Sequence, residues 1–279
     1  MRKRYFIHLG LAKLFVIGIV GLLLLALAAS TSRGALAKGG GNAVATLLHT
    51  PTGLAQLHYD SSSQQLTVSV WLMGLAPNST HPAHIHLGVC TSNGPIRYPL
   101  KNVVANAKGQ AAMSTVLAGV AGGIPAGGWY LNVHNGPTLA TPEQASAIAC
   151  GVIFNPHRGN DVLTLLGATP DPNQHASGLT RLSLTGHDLT VSIDVTGLAP
   201  NSRHAAHVHA GTCFSSGGVL YDLSPLVADA QGHASKTVVF HDVASIPTLG
   251  WDVNVHLGTD LSTQTGYDPI LCGVVLPQM

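Results

Sequence analysis

The sequence predicts an all-β protein that consists of two tandem Greek-key β-barrel or sandwich domains. Segments 66–72, 112–117, 189–195 and 235–240 alternate apolar and polar residues, which is typical of strands with one buried face. After position 37, no run of about 11 or more residues shows the apolar stripe of an amphipathic helix. The chain also contains an internal duplication, so each prediction for the first domain applies to the second.

Residues 1–37 have the pattern of a secretory signal peptide. Basic residues at 2–4 precede an apolar run at 14–29, and Ala35-Leu36-Ala37 offers a small-x-small cleavage site. The apolar run is shorter than the stretch of about 20 residues that a membrane-spanning helix needs. An uncleaved N-terminal anchor is the alternative. We therefore predict an extracytoplasmic protein, secreted or membrane-anchored, whose fold begins after this segment.

Two sequence copies follow, at 42–156 and 160–279, with a short linker near 155–159. Each copy is long enough to bury a hydrophobic core of its own. Segment 169–174 is predicted to be a loop within the second copy. Three motifs recur in the same order in both copies: Gly-Leu-Ala-Pro-Asn-Ser at 74–79 and 197–202, His-x-x-His-x-His at 81–86 and 204–209, and Gly-Trp-x-x-Asn-Val-His at 128–134 and 250–256.

The composition excludes several classes of function. Only 9% of the residues are charged, whereas a typical soluble domain has about 25%. The signal segment contains five of the 13 basic residues and none of the 12 acidic ones, so the rest of the chain is mildly acidic and has no general attraction for nucleic acids or anionic membranes. No nucleophile elbow, phosphate loop or Cys-x-x-Cys motif supports a hydrolase or a nucleotide-binding protein.

The four cysteines predict two disulfide bonds. An even number of cysteines in an exported chain favours disulfides. Each copy has one Cys after its His-x-His and a second Cys near its end, so pairing within each copy is the economical prediction. The predicted bonds are Cys90–Cys150 and Cys213–Cys272, and free buried thiols are the alternative.

Three histidines in each copy predict a metal site. Side chains two positions apart on a strand point to the same face, and a matching strand segment in each copy ends in a third histidine. Imidazole is a good ligand for copper and zinc. The candidate ligands are His84, His86 and His134 in copy one and His207, His209 and His256 in copy two. The alternative is that these side chains are simply solvated.

The same motifs resemble Cu/Zn superoxide dismutase. The resemblance rests on the His-x-x-His-x-His motif, Cys-Thr-Ser-x-Gly-Pro at 90–95, the Val-His pair and Ala-Cys-Gly-Val-Ile at 149–153, and it covers most of each copy. It implies a Greek-key barrel of that type with one disulfide per domain. It also implies that the six histidines are copper ligands, and that His81 and His204 orient a loop or a ligand.

Departures from the dismutase pattern weaken the prediction of an enzyme. The family's histidine that bridges copper and zinc is replaced by Ile96 and Val219, and its zinc-binding loop is absent. Its arginine that attracts superoxide is replaced by Ala147 and Pro269. The resemblance therefore implies copper without zinc, and a binding protein more than an enzyme. If the chain is an enzyme, weak superoxide dismutation is the expected activity.

A second resemblance is to the CHRD domain, which was first described in chordin and also occurs in bacterial secreted proteins. It rests on Ala-His-Ile-His at 83–86 and Trp-Tyr-Leu-Asn-Val-His at 129–134. Three hypotheses follow. The first is an exported copper-binding protein, the second a CHRD-like extracellular structural or adhesive module without metal, and the third a degenerate copper-only dismutase. The sequence does not identify a protein or cell-surface partner.

Overall fold

The computed structural model describes residues 41–278, which belong to one compact unit. The predicted signal peptide at 1–37 lies outside the described residues. Among the residues described, no helix has both the length and the apolar character needed to cross a membrane.

The prediction of an all-β fold is confirmed. The part of the chain that the structure describes contains two one-turn helices, α1 (Pro142–Ala145) and α2 (Gln264–Tyr267), and otherwise strands and loops. The strands are β1 (Asn42–His49), β2 (Thr52–Asp60), β3 (Gln65–Met73), β4 (Thr80–His81), β5 (Ala83–Leu87), β6 (Ile96–Pro99), β7 (Val103–Val104), β8 (Ala111–Leu117), β9 (Trp129–His134), β10 (Ala147–Ile153), β11 (Asp161–Leu166), β12 (Ser177–Thr185), β13 (Asp188–Thr196), β14 (Arg203–His204), β15 (Ala206–Thr212), β16 (Ser215–Asp222), β17 (Leu226–Val227), β18 (Ala234–Phe240), β19 (Trp251–His256), β20 (Pro269–Val274) and β21 (Leu276–Pro277).

Alternation of apolar and polar residues places one face of each main strand in a core. On β3, Leu66, Val68 and Val70 are buried while the side chains between them point outward. In the first half of the molecule, the sheets β10-β9-β5-β6 and β11-β2-β3-β8 contribute side chains to one hydrophobic cluster. The second half repeats this arrangement with β16-β15-β19-β20 and β1-β12-β13-β18, and β1 also pairs with β20.

The first strands of the two copies are exchanged. Strand β1 pairs with β12 of copy two, and its buried residues Ala45 and Leu47 pack in the core of that half. Strand β11 pairs with β2 of copy one, and Val162 and Leu166 pack in the core of the first half. The boundaries 42–156 and 160–279 describe the duplication in the sequence, but each core takes one strand from across that boundary.

Both disulfide bonds form within a copy. Cys90 pairs with Cys150 and Cys213 with Cys272, with Cα–Cα distances of 6.0 and 5.7 Å. Both distances lie within the usual range for disulfides, and no free cysteine remains in the described chain.

Segment 169–174 is a loop that touches both halves of the molecule. The carboxylate of Asp171 accepts hydrogen bonds from Ser146 Oγ and the backbone N–H of Ala147, at 2.9 and 2.6 Å. Asn173 Oδ1 accepts the N–H of Ala199 at 2.7 Å. The loop therefore holds a turn of copy two against the start of β10 in copy one.

Candidate metal centre

Three histidines of copy one converge at one end of the sheet that contains β5 and β9. His84 and His86 are two positions apart on β5, and His134 ends the neighbouring strand β9. The centroids of the three rings are 5.1 to 5.9 Å apart. Each ring offers one nitrogen as a possible ligand atom, and these three nitrogens all lie within 4.8 Å of one another. The predicted ligands of copy one thus form one cluster.

Copy two builds the same cluster from β15 and β19. His207 and His209 lie on β15, and His256 ends β19. Their ring centroids are 5.3 to 6.0 Å apart, and one nitrogen from each ring again lies within 4.8 Å of the others. All six side chains are buried. The i, i+2 spacing and the pairing register therefore produce matching geometry twice.

Backbone carbonyls orient the rings of copy one. His86 Nδ1 contacts the carbonyl oxygen of Gly94 at 2.8 Å, and His134 Nδ1 contacts that of Ala145 at 2.7 Å. Because a carbonyl oxygen can only accept, each Nδ1 carries the proton and each Nε2 keeps its lone pair. Such a contact fixes the tautomer that a metal-binding imidazole requires.

The corresponding rings of copy two are oriented in the same way. His209 Nδ1 donates to the carbonyl oxygen of Gly217 at 2.9 Å, and His256 Nδ1 donates to that of Tyr267. In both copies, the Nε2 atoms of these rings are left with a free lone pair. The first histidine of each cluster differs: in His84 and His207 the buried nitrogen that has no hydrogen-bond partner is Nδ1 and not Nε2.

Six buried ring nitrogens of the two clusters have no hydrogen-bond partner among the described residues. An unsatisfied buried acceptor costs about 1–3 kcal/mol, so each cluster carries a substantial penalty that the duplication repeats. A bound cation would relieve that penalty. The atoms are His84 Nδ1, His86 Nε2 and His134 Nε2 in copy one, and His207 Nδ1, His209 Nε2 and His256 Nε2 in copy two.

Burial lowers the pKa of five of the six clustered histidines. Burial, with a smaller contribution from the neighbouring His134 and His86, lowers the pKa of His84 to about 4. Burial also lowers the pKa of His256 to about 4, although the carbonyl of Tyr267 opposes the shift. The pKa values of His134, His207 and His209 fall for the same principal reason. Neutral imidazole is the form that binds a metal.

The histidines predicted to orient a ligand contact the backbone of the third histidine in each cluster. His81 Nδ1 donates to the carbonyl of His134 at 2.8 Å, and its Nε2 lies 2.7 Å from Ser79 Oγ. His204 makes the matching bond to the carbonyl of His256 at 2.9 Å. Both side chains are fully buried. Burial lowers the pKa of His81 to about 4, so the ring is neutral, and Ser79 Oγ lies within hydrogen-bond distance of both Nε2 and the Ala76 carbonyl, at 2.7 Å from each.

The positions that depart from the dismutase pattern lie beside the clusters. Ile96 and Val219 are cross-strand partners of the second histidine of each cluster, and their side chains are about half exposed, at 48% and 52%. Ala147 and Pro269 are cross-strand partners of the third histidine. None of these side chains can ligate a metal or attract an anion.

Three matched positions make the surroundings of the two clusters different, and the sequence analysis did not single them out. The Tyr130 ring stacks on His86 at 5.1 Å, whereas copy two has Asp252, whose pKa burial raises to about 6. Ala145 corresponds to Tyr267, whose ring lies 5.1 Å from that of His256. At the third position copy one has Pro99, and copy two has Asp222, 3.5 Å from His207 Nε2. Alignment of the two copies reveals these differences.

The fold and the clusters define an all-β protein with two disulfide-bonded halves and one three-histidine cluster in each. Among known families, residues 36–137 match the family model of the CHRD domain. The matched segment includes His84, His86 and His134, so the CHRD resemblance of copy one is confirmed. No curated protein matches the chain.

Proposed function

We propose that this is an extracytoplasmic protein that binds one copper ion, or a similar metal ion, at each three-histidine cluster. The observation that carries the proposal is the set of six buried, unpaired ring nitrogens, repeated in two copies with matching ring geometry. Disulfides are typical of oxidising compartments, which supports an exported protein.

The residues present fit a transition-metal ion. Two nitrogens that bind one ion at about 2.0–2.1 Å are at most about 4.2 Å apart, so only small ring movements separate the 4.8 Å clusters from a binding geometry. Three imidazoles without a carboxylate in the group suit copper and zinc alike, and the higher affinity of such sites for Cu²⁺ than for Zn²⁺ favours copper. In copy one, His84 Nδ1, His86 Nε2 and His134 Nε2 would hold the ion, while His81 holds the His134 backbone. When bound, copper supplies one-electron redox chemistry.

The proposal is tested by metal stoichiometry. Protein comprising residues 38–279, without a polyhistidine tag, is stripped of metal with a chelator, loaded with Cu(II) and desalted. The number of copper ions per chain is then measured by inductively coupled plasma mass spectrometry. The wild type is expected to hold two copper ions per chain. Replacing His84 and His86 with Ala should leave one ion, and replacing His207 and His209 as well should leave none.

A matched control uses histidines outside the clusters. His58 and His241 are exposed and each lies 2.7 Å from an aspartate, Asp161 and Asp188 respectively. Replacing both with Ala should leave two ions per chain. Well under one copper ion per wild-type chain, or unchanged loading in folded cluster variants, would refute metal binding at these clusters.

Rapid superoxide dismutation is not expected of the copper-loaded protein. The side chains beside the third histidines, Ala147 and Pro269, attract no anion, and Ile96 and Val219 carry no proton. Electrostatic steering is worth about 10- to 1000-fold in association rate. The rate constant measured with pulse-generated superoxide should therefore lie far below the diffusion ceiling of about 10⁹ M⁻¹s⁻¹, and a rate near that ceiling would refute the expectation.

The second candidate function is an extracellular binding module that uses no metal, and the CHRD match of residues 36–137 favours it. In that case the histidines shape the end of the sheet through their carbonyl contacts. Cluster variants with Ala that stay folded would then keep their attachment to the partner surface, with or without copper. Loss of attachment on copper removal would instead favour the metal-dependent function.

A further inference from the structure

The segment Gln264–Asp268 of copy two is tied to the histidine cluster of its own copy. The carbonyl of Tyr267 accepts the Nδ1–H of His256, and the Tyr267 ring packs on the His256 ring at 5.1 Å. The backbone N–H of Leu257, which follows His256, donates to the carbonyl of Asp268 at 2.9 Å. The orientation of His256 therefore depends on the position of this segment.

The same segment also holds the backbone around the cluster of copy one. Gln264 Nε2 donates to the carbonyls of Thr80 and Asn135, both at 2.8 Å, and Gln264 Oε1 accepts the N–H of Thr80 at 3.1 Å. Thr80 precedes His81, and Asn135 follows His134. One side chain of copy two thus clamps two backbone segments that position a histidine of copy one.

Asp268 adds a second contact to copy one. Its carboxylate is buried, with 1% exposure of the residue, and Oδ1 accepts the N–H of Ala76 at 3.1 Å. The same oxygen lies 4.0 Å from Nε2 of His81. Gln264 and Asp268 therefore both bind copy one close to the residue that holds the His134 carbonyl.

These contacts are specific to copy two and do not result from the duplication. In the matching segment of copy one, Pro142 stands in place of Gln264 and Ser146 in place of Asp268. Ser146 Oγ donates to Asp171 of the loop at 169–174, at 2.9 Å. The bridging side chains occur in only one of the two copies, so neither the fold nor the cluster requires them.

We propose that the segment Gln264–Asp268 couples the two clusters, so that metal binding at copy two raises the metal affinity of copy one, with Gln264 as the positioning residue. The inference rests on the metal binding proposed above. Fixing the His256 ring orders the Tyr267 carbonyl and with it the segment. The Thr80 and Asn135 backbones are then already ordered when copy one binds its ion, which lowers the entropic cost of binding there. The effect is reciprocal.

The coupling is measured with three proteins titrated with Cu(II) against a competing glycine ligand by isothermal calorimetry. They are the wild type, a copy-one-only protein (His207→Ala with His209→Ala) and a copy-two-only protein (His84→Ala with His86→Ala). The coupling factor is the overall two-ion constant of the wild type divided by the product of the two one-ion constants. We expect a factor of about tenfold, within the usual range of about 5- to 150-fold.

Gln264→Met in all three proteins tests the route of the coupling. The substitution keeps the approximate length of the side chain but removes three hydrogen bonds to copy one, so the factor should fall to about one. The matched control is Gln110→Met, which removes another hydrogen bond between the copies, from Gln110 Nε2 to the Phe214 carbonyl at 3.0 Å. The control should keep the tenfold factor. A purely structural role of Gln264 would change single-site affinities without changing this ratio.

Amide hydrogen exchange gives a second measurement that does not depend on copy-one affinity. In the copy-two-only protein, Cu(II) loading should slow exchange at the N–H groups of Thr80 and Ala76, which donate to Gln264 and Asp268. Two ions bound with a factor of one, or no change at these amides, would overturn the coupling and leave metal binding intact. Absence of Cu(II) from both clusters would overturn the proposed function as well.

Discussion

At the scale of single residues, the clusters depend on which ring nitrogen carries the proton. Contacts from His86 and His134 to backbone carbonyls leave the Nε2 lone pairs free, and burial lowers the pKa of His134. Under the proposed function, these side chains would need no rearrangement of tautomers to bind a cation. Preorganisation of this kind is what the supporting contacts of a metal site provide.

Acid should remove the stability that four buried, neutral histidines contribute to the metal-free protein. Burial lowers the pKa values of His49, His81, His84 and His256 to about 4 from 6.5. Below about pH 6.5 the unfolded chain binds protons at these positions that the folded chain does not, so each histidine lowers the free energy of unfolding by about 1 to 3 kcal/mol as the pH is lowered towards 4. The buried carboxyls of Asp252 and Asp268, whose pKa values burial raises, act in the opposite direction. Urea denaturation of the wild type and of His81→Leu at several pH values isolates one histidine, and an identical pH dependence of the two proteins would contradict the lowered pKa of His81.

Loss of the His81 ring should weaken metal binding by copy one. His81→Leu keeps an apolar side chain in the site but leaves the His134 carbonyl without its partner, so copper affinity at that cluster should fall about tenfold or more. Competition titration of the copy-one-only protein measures the change. Ser79→Ala is the control, because it removes the contacts of Ser79 Oγ with His81 Nε2 and with the Ala76 carbonyl but keeps the bond from His81 to the His134 carbonyl, so it should have a much smaller effect. Equal affinities of His81→Leu and wild type would show that the carbonyl contact does not position His134.

At the scale of elements, the exchanged strands decide which core each copy completes. Strand β1 begins copy one in the sequence, yet its inner face packs against copy two, and β11 does the reverse. Each half of the molecule therefore lacks one strand unless the other copy supplies it. The two copies are therefore joined by the backbone hydrogen bonds of these two strand pairs, in addition to side-chain contacts.

Matched substitutions in the exchanged strands should act on the opposite copy. Leu47 and Leu166 are both buried, at 0% and 2% exposure. Leu47→Ala should increase local hydrogen exchange in β12 and β20 of copy two, and Leu166→Ala in β2 and β10 of copy one. Each substitution should cost about 2–5 kcal/mol. A larger increase in hydrogen exchange in the copy to which the substituted residue belongs by sequence would contradict the swapped positions of β1 and β11.

At the scale of the whole molecule, the exchange joins two disulfide-bonded cores into one compact unit, which we expect to unfold cooperatively. Each disulfide spans about sixty residues, with sequence separations of 60 and 59. Closing a loop of that length restricts the unfolded chain and stabilises the folded state by about 4 kcal/mol in the chain-entropy model.

Removal of either disulfide should therefore destabilise the same transition. A variant with Ser at Cys90 and Cys150, and another with Ser at Cys213 and Cys272, should each lose about 4 kcal/mol and still unfold in one step. Urea unfolding followed by far-ultraviolet circular dichroism and by tryptophan fluorescence checks both points. Two separated transitions would show that the halves unfold independently despite the exchanged strands.

Much of the local structure and the site could be predicted from the order of residue types. Alternation predicted strands at 66–72 and 189–195, which the structure extends by one residue at each end. The repeated His-x-His and the matched cysteines predicted the clustered histidines and the two disulfides, because side chains two apart on a strand share a face. These are short-range regularities, and the duplication doubled each signal.

The exchange of β1 and β11, the Gln264 clamp and the burial of Asp268 could not be read from such regularities. A period of two reports which face of a strand is buried, but backbone N–H and C=O groups are the same on every strand and do not specify the partner. Gln264 and Asp268 lie in a one-turn helix and its cap, where the sequence carries no strong periodic signal. Their role depends on long-range packing of the two copies, which sets their distances to Thr80 and Ala76.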